Sequence, residues 1–251
     1  ELAAATRCGL LIPSSNTVAE PMSQSIAASI GGLTLHFSRV RVEAISLDDR
    51  HSAQFSPDAM SAAASLLGDA HVDAVAWAGT SGSWLGVQAD RDIASRLAAE
   101  ARAPATTSTI ALLAAARSFG IERIVLVTPY VGTVVNDIER TFAAEGIEVV
   151  AERHLDITRN FDFGQVPEQR LSQCARLAAP TPAQAVCFVC TNLAAARLAP
   201  QLEADIGIPV LDSVTVTLWH ALRLAGREEA VAGWGRLLGG DMEIGEARQP
   251  R

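Results

Sequence analysis

The sequence predicts an α/β protein with two similar halves, each built on a parallel sheet, and a site in the cleft between them. Short apolar runs bounded by Pro, Gly and Asn alternate with longer helical stretches, which is the pattern of a parallel α/β fold. Residues 185–193 (AVCFVCTNL) repeat the pattern of residues 74–81 (AVAWAGTS). The repeat indicates that the two halves share one plan.

The first half, residues 1–120, is predicted to contain four strands and four helices. Pro13 marks the exit of the first strand, and Ser15, Asn16 or Thr17 is the expected cap of the helix that follows. Gly120 closes the last helix of this half. The predicted strands are residues 7–13, 33–42, 74–78 and 103–107, and the helices run to about 31–32 and over 57–68, 90–102 and 108–119.

The second half, residues 121–226, repeats this order, so each half is expected to be flavodoxin-like. Its predicted strands are residues 123–128, 147–154, 185–189 and 209–211, and its helices run to 146 and over 167–178, 194–206 and 213–225. The C-terminal tail, residues 227–251, is rich in glycine. We expect it to form one weak helical turn and otherwise to fray.

Composition excludes several classes of function. The 251 residues are 49% hydrophobic with a formal net charge of −8, which argues against a nucleic-acid surface. No apolar run is long enough to cross a membrane, and the first residues lack a signal-peptide pattern. Four cysteines without framework spacing favour reduced thiols in the cytoplasm. Cys187 and Cys190 point to opposite faces of a strand, so redox or zinc use is not expected.

The aligned strand ends differ in one important way. Gly79 falls where the second half has Cys190, and Thr80 aligns with Thr191. Ligands of parallel sheets bind beyond the carboxyl ends of the strands, so we expect Gly79 and Cys190 to face each other across one cleft. One strand end therefore carries a thiol and the other carries none, and the glycine is expected to leave room for an added side chain.

These strand ends resemble those of the aspartate/glutamate racemase superfamily, most closely its branch of arylmalonate decarboxylases and maleate cis–trans isomerases. The resemblance covers about residues 9–226 and implies an enzyme that needs no cofactor and no metal. A single cysteine at the second position, Cys190, is the decarboxylase arrangement. The resemblance implies that the residues which hold the developing negative charge are Thr80, Ser81, Tyr130, Cys190 and Thr191.

Other positions resemble the isomerases. The loop PSSNT, residues 13–17, is similar to the opening loop of that group. The resemblance implies that Asn16, Tyr130 and Asn160 hold a diacid, with Ser14 in the same loop as a further candidate. The charge-stabilising residues thus match one group of relatives, and the binding loops match the other.

Each candidate also has an ordinary structural interpretation. A free cysteine such as Cys190 is often a small buried hydrophobe, and Tyr130 is a plausible packing residue. Asn16 and Asn160 are typical of turns and helix caps. The position of Cys190 at a strand exit, in phase with Gly79, favours a functional role.

We therefore expect a cofactor-independent decarboxylase of a malonate-type diacid. In this mechanism Cys190 protonates an enediolate, and hydroxyl and backbone donors stabilise its charge. Racemisation is disfavoured because it needs an acid and a base on opposite faces. The alternatives are a maleate-type cis–trans isomerase and a non-catalytic dicarboxylate-binding protein. The expected partner is a small dicarboxylate, and a homo-oligomer is possible.

Overall fold

Two four-stranded parallel sheets form the centre of the protein. The computed structural model describes residues 4–43, 57–178 and 181–242. Its strands are β1 (Thr6–Pro13), β2 (Leu33–Val40), β3 (Ala74–Trp77), β4 (Ala105–Thr107), β5 (Arg123–Thr128), β6 (Glu148–His154), β7 (Ala185–Phe188) and β8 (Val210–Asp212). The sheet orders are β2-β1-β3-β4 and β6-β5-β7-β8, so the second sheet repeats the first. The predicted α/β class with two parallel sheets is confirmed.

Helices connect and cover the strands. In the first half they are α1 (Ala19–Ala27), α2 (Pro57–Asp69), α3 (Gly82–Leu85), α4 (Val87–Ala101) and α5 (Ser108–Ser118). In the second they are α6 (Gly132–Ala144), α7 (Asn160–Phe163), α8 (Glu168–Ala178), a 3₁₀ turn (Ala196–Leu198), α9 (Ala199–Ile206), α10 (Ser213–Leu224) and α11 (Arg236–Gly239). No helix of the described ranges is both long and apolar enough to cross a bilayer.

The central strands are short and apolar because both their faces are buried. Every residue of β3 and of β7 is buried, as expected for inner strands of a parallel sheet covered by helices. Each lies between two parallel neighbours, β3 between β1 and β4 and β7 between β5 and β8. The exits of β3 and β7 therefore occupy equivalent central positions in the two sheets.

The last long helix of the second half packs against the first half. Helix α10 contacts α5 and β3, and the Thr217 hydroxyl donates to Ser108 Oγ at 2.7 Å. Thr106 Oγ1 and His220 Nδ1 are 2.8 Å apart, a second polar contact between the same regions. These contacts hold the two sheets together on one side of the cleft. The domain boundaries at residues 120 and 226, and the expected homo-oligomer, stay predictions.

Most predicted elements lie within a few residues of the observed ones, but two short helices were missed. Helices α3 and α7 lie in segments predicted to be loops, directly after polar residues of the candidate site. The helix predicted over residues 194–206 begins as a 3₁₀ turn and becomes α-helical only at Ala199. Most of the segment between the predicted strand 33–42 and the predicted helix 57–68, residues 44–56, lies outside the described residues. Single turns are short and carry little periodic pattern, which is why sequence reasoning missed them.

The expectation of a frayed tail is wrong for residues 227–242. Val231, Trp234, Leu237 and Leu238 are all buried, so the glycine-rich segment packs against the core. Gly235 has a φ of +85°, a conformation that glycine adopts without strain, and this turn starts α11. Residues 243–251 lie outside the described structure.

Arg227 fixes the start of this tail to the first half. Its guanidinium donates to the carbonyls of Gly31 (2.8 Å) and Gly32 (3.2 Å) and to Thr6 Oγ1 (3.0 Å), and it pairs with Glu229. Several charge-assisted bonds from one half-buried side chain are stronger than an isolated surface ion pair.

We expect Arg227→Ala to lower the free energy of unfolding by about 2 kcal/mol, because these bonds are lost together. Urea unfolding followed by circular dichroism measures the change. Arg96→Ala, which removes an exposed arginine of α4, is the control and should change stability by less than about 0.5 kcal/mol. Equal effects of the two variants would contradict a special role for Arg227.

Candidate active site

A small cavity lies where the two halves meet, at the carboxyl ends of the central strands. Its volume is about 20 Å³, roughly the space of one water molecule. It is lined by Pro13, Val42, Trp77, Gly79, Thr80, Ser81, Trp84, Tyr130, Asn160, Cys190 and Thr191. Seven predicted site residues are thus brought together, with Gly79 and Cys190 contributed by opposite halves.

The strand exits are joined by a direct hydrogen-bond chain. The Thr191 hydroxyl donates to the carbonyl of Ala78 at 2.9 Å, and Asn16 Nδ2 donates to Thr191 Oγ1 at 3.0 Å. The Asn16 side-chain oxygen accepts from the backbone N–H groups of Val18 and Ala19, each at 2.9 Å. All three linked residues are buried, so the chain fixes the spacing of the two halves.

Asn16 and Ser14, predicted to contact ligand, do not line the cavity in this structure. Asn16 caps the first turn of α1 and holds Thr191, as described above. The exposed Ser14 hydroxyl accepts from the backbone N–H of Val42 at 3.1 Å. Both side chains therefore stand behind the cavity wall, where they position Thr191 and Val42.

Asn160 does line the cavity and is held by the opening loop and by Asn192. Its Nδ2 group donates to Ser15 Oγ at 2.8 Å, and its backbone carbonyl accepts from the Asn192 side-chain amide. Asn192 also accepts from the backbone N–H of Thr17 at 2.9 Å. Asn192 follows Cys190 and Thr191 in sequence, and its bridging role was not predicted.

Thr80 and Tyr130 form a buried hydroxyl pair across the two halves. Thr80 Oγ1 and Tyr130 Oη are 2.7 Å apart. Trp84 and Phe163 contact the Tyr130 ring edge-on, at centroid distances of 5.1 and 5.5 Å. Burial raises the pKa of Tyr130 well above its usual value, and charge at Cys190 raises it further. The phenol therefore keeps its proton at neutral pH and remains available as a donor.

Cys190 is a protonated thiol in this environment. Burial raises its pKa to about 12, while hydrogen bonds from Tyr130 and from the backbone N–H groups of Asn192 and Leu193 oppose that rise. The N–H of Asn192 lies 3.4 Å from Sγ. The resting thiol can donate a proton, and the same neighbouring donors are placed to stabilise the sulfur if it becomes negative.

The expectation that Gly79 leaves room for an added side chain is wrong. A Cβ at this position would lie 2.3 Å from Cε2 of the Trp77 indole and 2.5 Å from its Cζ2 and Nε1 atoms. The indole N–H donates to Ser81 Oγ at 3.2 Å. Trp77 is two residues before Gly79, so its side chain lies on the face to which a side chain at position 79 would also point. This spacing is the feature of the sequence that could have predicted the clash.

Asp90 supports the loop that carries Thr80 and Ser81. Its carboxylate accepts from the Thr107 hydroxyl, and a Cβ at Gly82 would lie 2.1 Å from Asp90 Cγ. Burial raises the pKa of Asp90 to about 6, opposed by hydrogen bonds from Thr107, Thr109 and the Gly82 N–H. Only glycine at position 82 lets α3 begin this close to the carboxylate. Sequence reasoning missed this support because the two residues belong to separate elements.

No arginine or lysine lines the cavity within the part of the chain that the structure describes. An anion bound there would meet hydroxyls, amides, a thiol and backbone N–H groups. Within the same residues, no group of three or more His, Cys, Asp and Glu side chains is placed to hold a metal ion. The site is thus suited to anion recognition by neutral donors.

A larger surface cavity, of about 460 Å³, lies on the other side of Trp84. Its charged residues are paired with one another: Arg91 with Glu145 at 3.5 Å, and Arg140 with Asp137. It contains none of the residues that line the small cavity except Trp84. The chemistry-bearing groups are therefore in the small cavity.

Comparison with known proteins identifies the family of the chain. A family model described as arylmalonate decarboxylase matches residues 37–238. The chain belongs to this family. Its fold and its paired strand exits are those that the sequence resemblance predicted.

The chain is similar in sequence to proteins named as maleate isomerases and to one named as an arylmalonate decarboxylase. The chain is 28% identical to a maleate isomerase of Geobacillus stearothermophilus, over 93% of this chain and 97% of that protein. It is 31% identical to an arylmalonate decarboxylase of Bordetella bronchiseptica, over 53% of this chain and 57% of that protein. The match to the isomerase is thus the more extensive, and that to the decarboxylase is partial.

A solved structure with a reaction intermediate has the same fold. It is a cysteine-to-serine variant of Nocardia farcinica maleate cis–trans isomerase with a covalently bound succinylcysteine intermediate. It is 25% identical to this chain, covers 94% of this chain and 99% of its own, and superposes with a TM-score of 0.86. A cysteine thus takes part covalently in that relative.

We expect the Cys190 thiol of the unliganded protein to stay protonated up to about pH 10, because burial raises its pKa to about 12. Thiolate absorbance at 240 nm, titrated in the protein and in Cys190→Ala, isolates this residue by difference. The two curves should coincide below pH 10. A difference step between pH 6 and 8 would contradict the protonated resting state.

Proposed function

We propose that the protein is a cofactor-independent cis–trans isomerase of a small unsaturated diacid of the maleate type. The observation that carries the proposal is one thiol, Cys190, in the same cavity as two groups of neutral donors. Thr80 and Tyr130 form one group. The other is the side-chain amide of Asn160, which has a second N–H beyond the one that it donates to Ser15. Two donor groups suit a substrate that keeps both carboxylates throughout the reaction. The extensive similarity to maleate isomerases supports the same assignment.

The chemistry needs only one thiol. Cys190 sulfur bonds to one alkene carbon, and the π electrons move toward the adjacent carboxylate to give an enediolate. The thiol proton passes to the neighbouring carbon, which completes a saturated adduct. Rotation then occurs about the C–C bond, which is now single. The proton leaves the neighbouring carbon and returns to sulfur as the S–C bond breaks, so that the double bond re-forms, the trans diacid is released and the thiol is restored. No proton or electron is gained or lost overall.

The donors act where charge develops. The enediolate carries its negative charge on oxygen. One hydroxyl of the Thr80–Tyr130 pair donates to the other, which leaves one O–H to donate to that charge, and the rings of Trp84 and Phe163 orient Tyr130. Fixed donors in a water-poor site stabilise such a charge without reorganising. The backbone N–H of Asn192 stabilises the sulfur as it attacks and as it leaves.

Decarboxylation of a malonate-type diacid is the second candidate, and two observations favour it. The side of Gly79 holds an indole instead of a second thiol, and the resting Cys190 is protonated. Loss of CO2 would leave the same kind of enediolate, and Cys190 would transfer its proton to carbon and regain one from water. The two candidates therefore share their charge-stabilising groups and differ in whether Cys190 bonds to carbon.

Proton NMR in D2O with maleate, malonate, an arylmalonate and amino acids in separate tubes distinguishes the candidates. We expect maleate to be converted to fumarate, and Cys190→Ala to lower that rate at least 10³-fold because the nucleophile is removed. Cys187→Ala is the matched control, since Cys187 is buried in β7 and does not line the cavity. Conversion of a malonate with no change in maleate would replace the isomerase proposal by the decarboxylase. Ligand binding without any product would support a non-catalytic role.

We expect Tyr130→Phe to reduce kcat about 10²–10³-fold, the usual effect of losing one donor to a developing oxyanion. The aromatic ring remains, so its contacts with Trp84 and Phe163 persist and the melting temperature should change little. Stopped assays at saturating substrate measure kcat, and thermal denaturation checks the fold. A kcat within threefold of the unmodified protein would remove Tyr130 from the mechanism.

A further inference from the structure

Trp77 is a cavity residue that the mechanism above does not use. It is the last residue of β3, has no exposed surface and lines the cavity. Side chains two residues apart on a strand share a face, and the indole accordingly extends over Gly79. Its N–H group donates to Ser81 Oγ, which fixes the orientation of the ring.

The contact between Trp77 and Gly79 admits no side chain at position 79. The 2.3 Å separation between an added Cβ and Cε2 of Trp77 is far below the ordinary carbon contact distance. The nearest atoms all belong to the rigid indole ring. The indole therefore occupies the place that a second thiol would need. Gly79 permits the tryptophan, and the tryptophan in turn requires glycine.

The second half has the converse arrangement at the equivalent strand. There Phe188 precedes Cys190 by two residues, as Trp77 precedes Gly79. Phe188 is fully buried and does not line the cavity, whereas Cys190 does. The second half thus combines the smaller ring of Phe188 with the thiol of Cys190. The first half combines the larger ring of Trp77 with a glycine, Gly79.

Two further aromatic rings, those of Trp84 and Tyr130, line the same cavity as Trp77. Trp84 lines the same cavity and contacts Tyr130 edge-on, and Tyr130 contacts Phe163. Close-packed rings yield little without displacing their neighbours. A cavity of about 20 Å³ must already widen to admit an unbranched diacid, and an aryl substituent would need several times that volume.

We propose that Trp77 determines specificity: it restricts the site to small diacids without a bulky substituent and excludes a second thiol from the Gly79 side. This inference rests on the proposed function, and it adds a limit on the size of the diacid that the site accepts. An arylmalonate would have to place its aryl group in a cavity that the indole of Trp77 already narrows. The restriction is steric and therefore applies to binding as well as to turnover.

Binding measured by isothermal titration tests the size restriction without depending on turnover. We expect the unmodified protein to bind malonate and to bind phenylmalonate at least tenfold more weakly. Trp77→Ala should improve the phenylmalonate-to-malonate affinity ratio at least tenfold, and Trp77→Phe should improve it less. Phe188→Ala is the matched control, because it removes the equivalent ring outside the cavity and should leave the ratio unchanged. An unchanged ratio in Trp77→Ala would overturn the proposal.

Stability measurements test the steric exclusion independently of any ligand. We expect Gly79→Cys to lower the melting temperature by about 5 °C, because overpacking against a rigid ring is destabilising. Trp77→Phe combined with Gly79→Cys reproduces the pair found at Phe188 and Cys190, and it should recover most of that loss. A Gly79→Cys protein as stable as the unmodified one would overturn the exclusion. Absence of turnover on every substrate would count against the proposed function only, since neither test measures turnover.

Discussion

The hydrogen-bond chain from Asn16 through Thr191 to the carbonyl of Ala78 determines the geometry of the site. It connects the opening loop, the exit of β7 and the exit of β3, which come from distant parts of the sequence. Because its members are buried, breaking one bond would leave polar groups without partners away from water, at a cost of about 1–3 kcal/mol. The Thr80–Tyr130 pair and Cys190 depend on this spacing, since they approach the cavity from opposite halves.

The site combines neutral donors with a thiol of high pKa. A cationic side chain would bind a dianion strongly before and after reaction, whereas fixed hydroxyls and N–H groups act most where charge accumulates on oxygen. The same burial that keeps Tyr130 protonated also keeps Cys190 protonated. Both proposed reactions form an enediolate and need a proton on sulfur for carbon, which a protonated Cys190 supplies.

The two halves share one sheet architecture and differ at the exits of their central strands. The sheet orders are the same, and the central strands leave their sheets at equivalent places. At those exits one half carries Phe188 and Cys190, and the other carries Trp77 and Gly79. A repeated fold thus produces an asymmetric cavity, with a thiol on one side and an indole on the other. The chain belongs to a family whose named relatives include isomerases and decarboxylases.

The sequence alone determined the α/β class, the order of the strands within each half and the alignment of Gly79 with Cys190. These features depend on local periodicity and on strand exits, which neighbouring residues encode. Only the tertiary structure decided that Trp77 covers Gly79, that Asn16 and Ser14 stand behind the wall, and that Asp90 supports the loop after β3. Each of these facts depends on which side chains meet after packing, and the contacts of Asn16, Ser14 and Asp90 join separate elements. The tail is a further example. Its glycines predict a flexible backbone from the local sequence, whereas the burial of Trp234 and Leu237 depends on contact with the folded core.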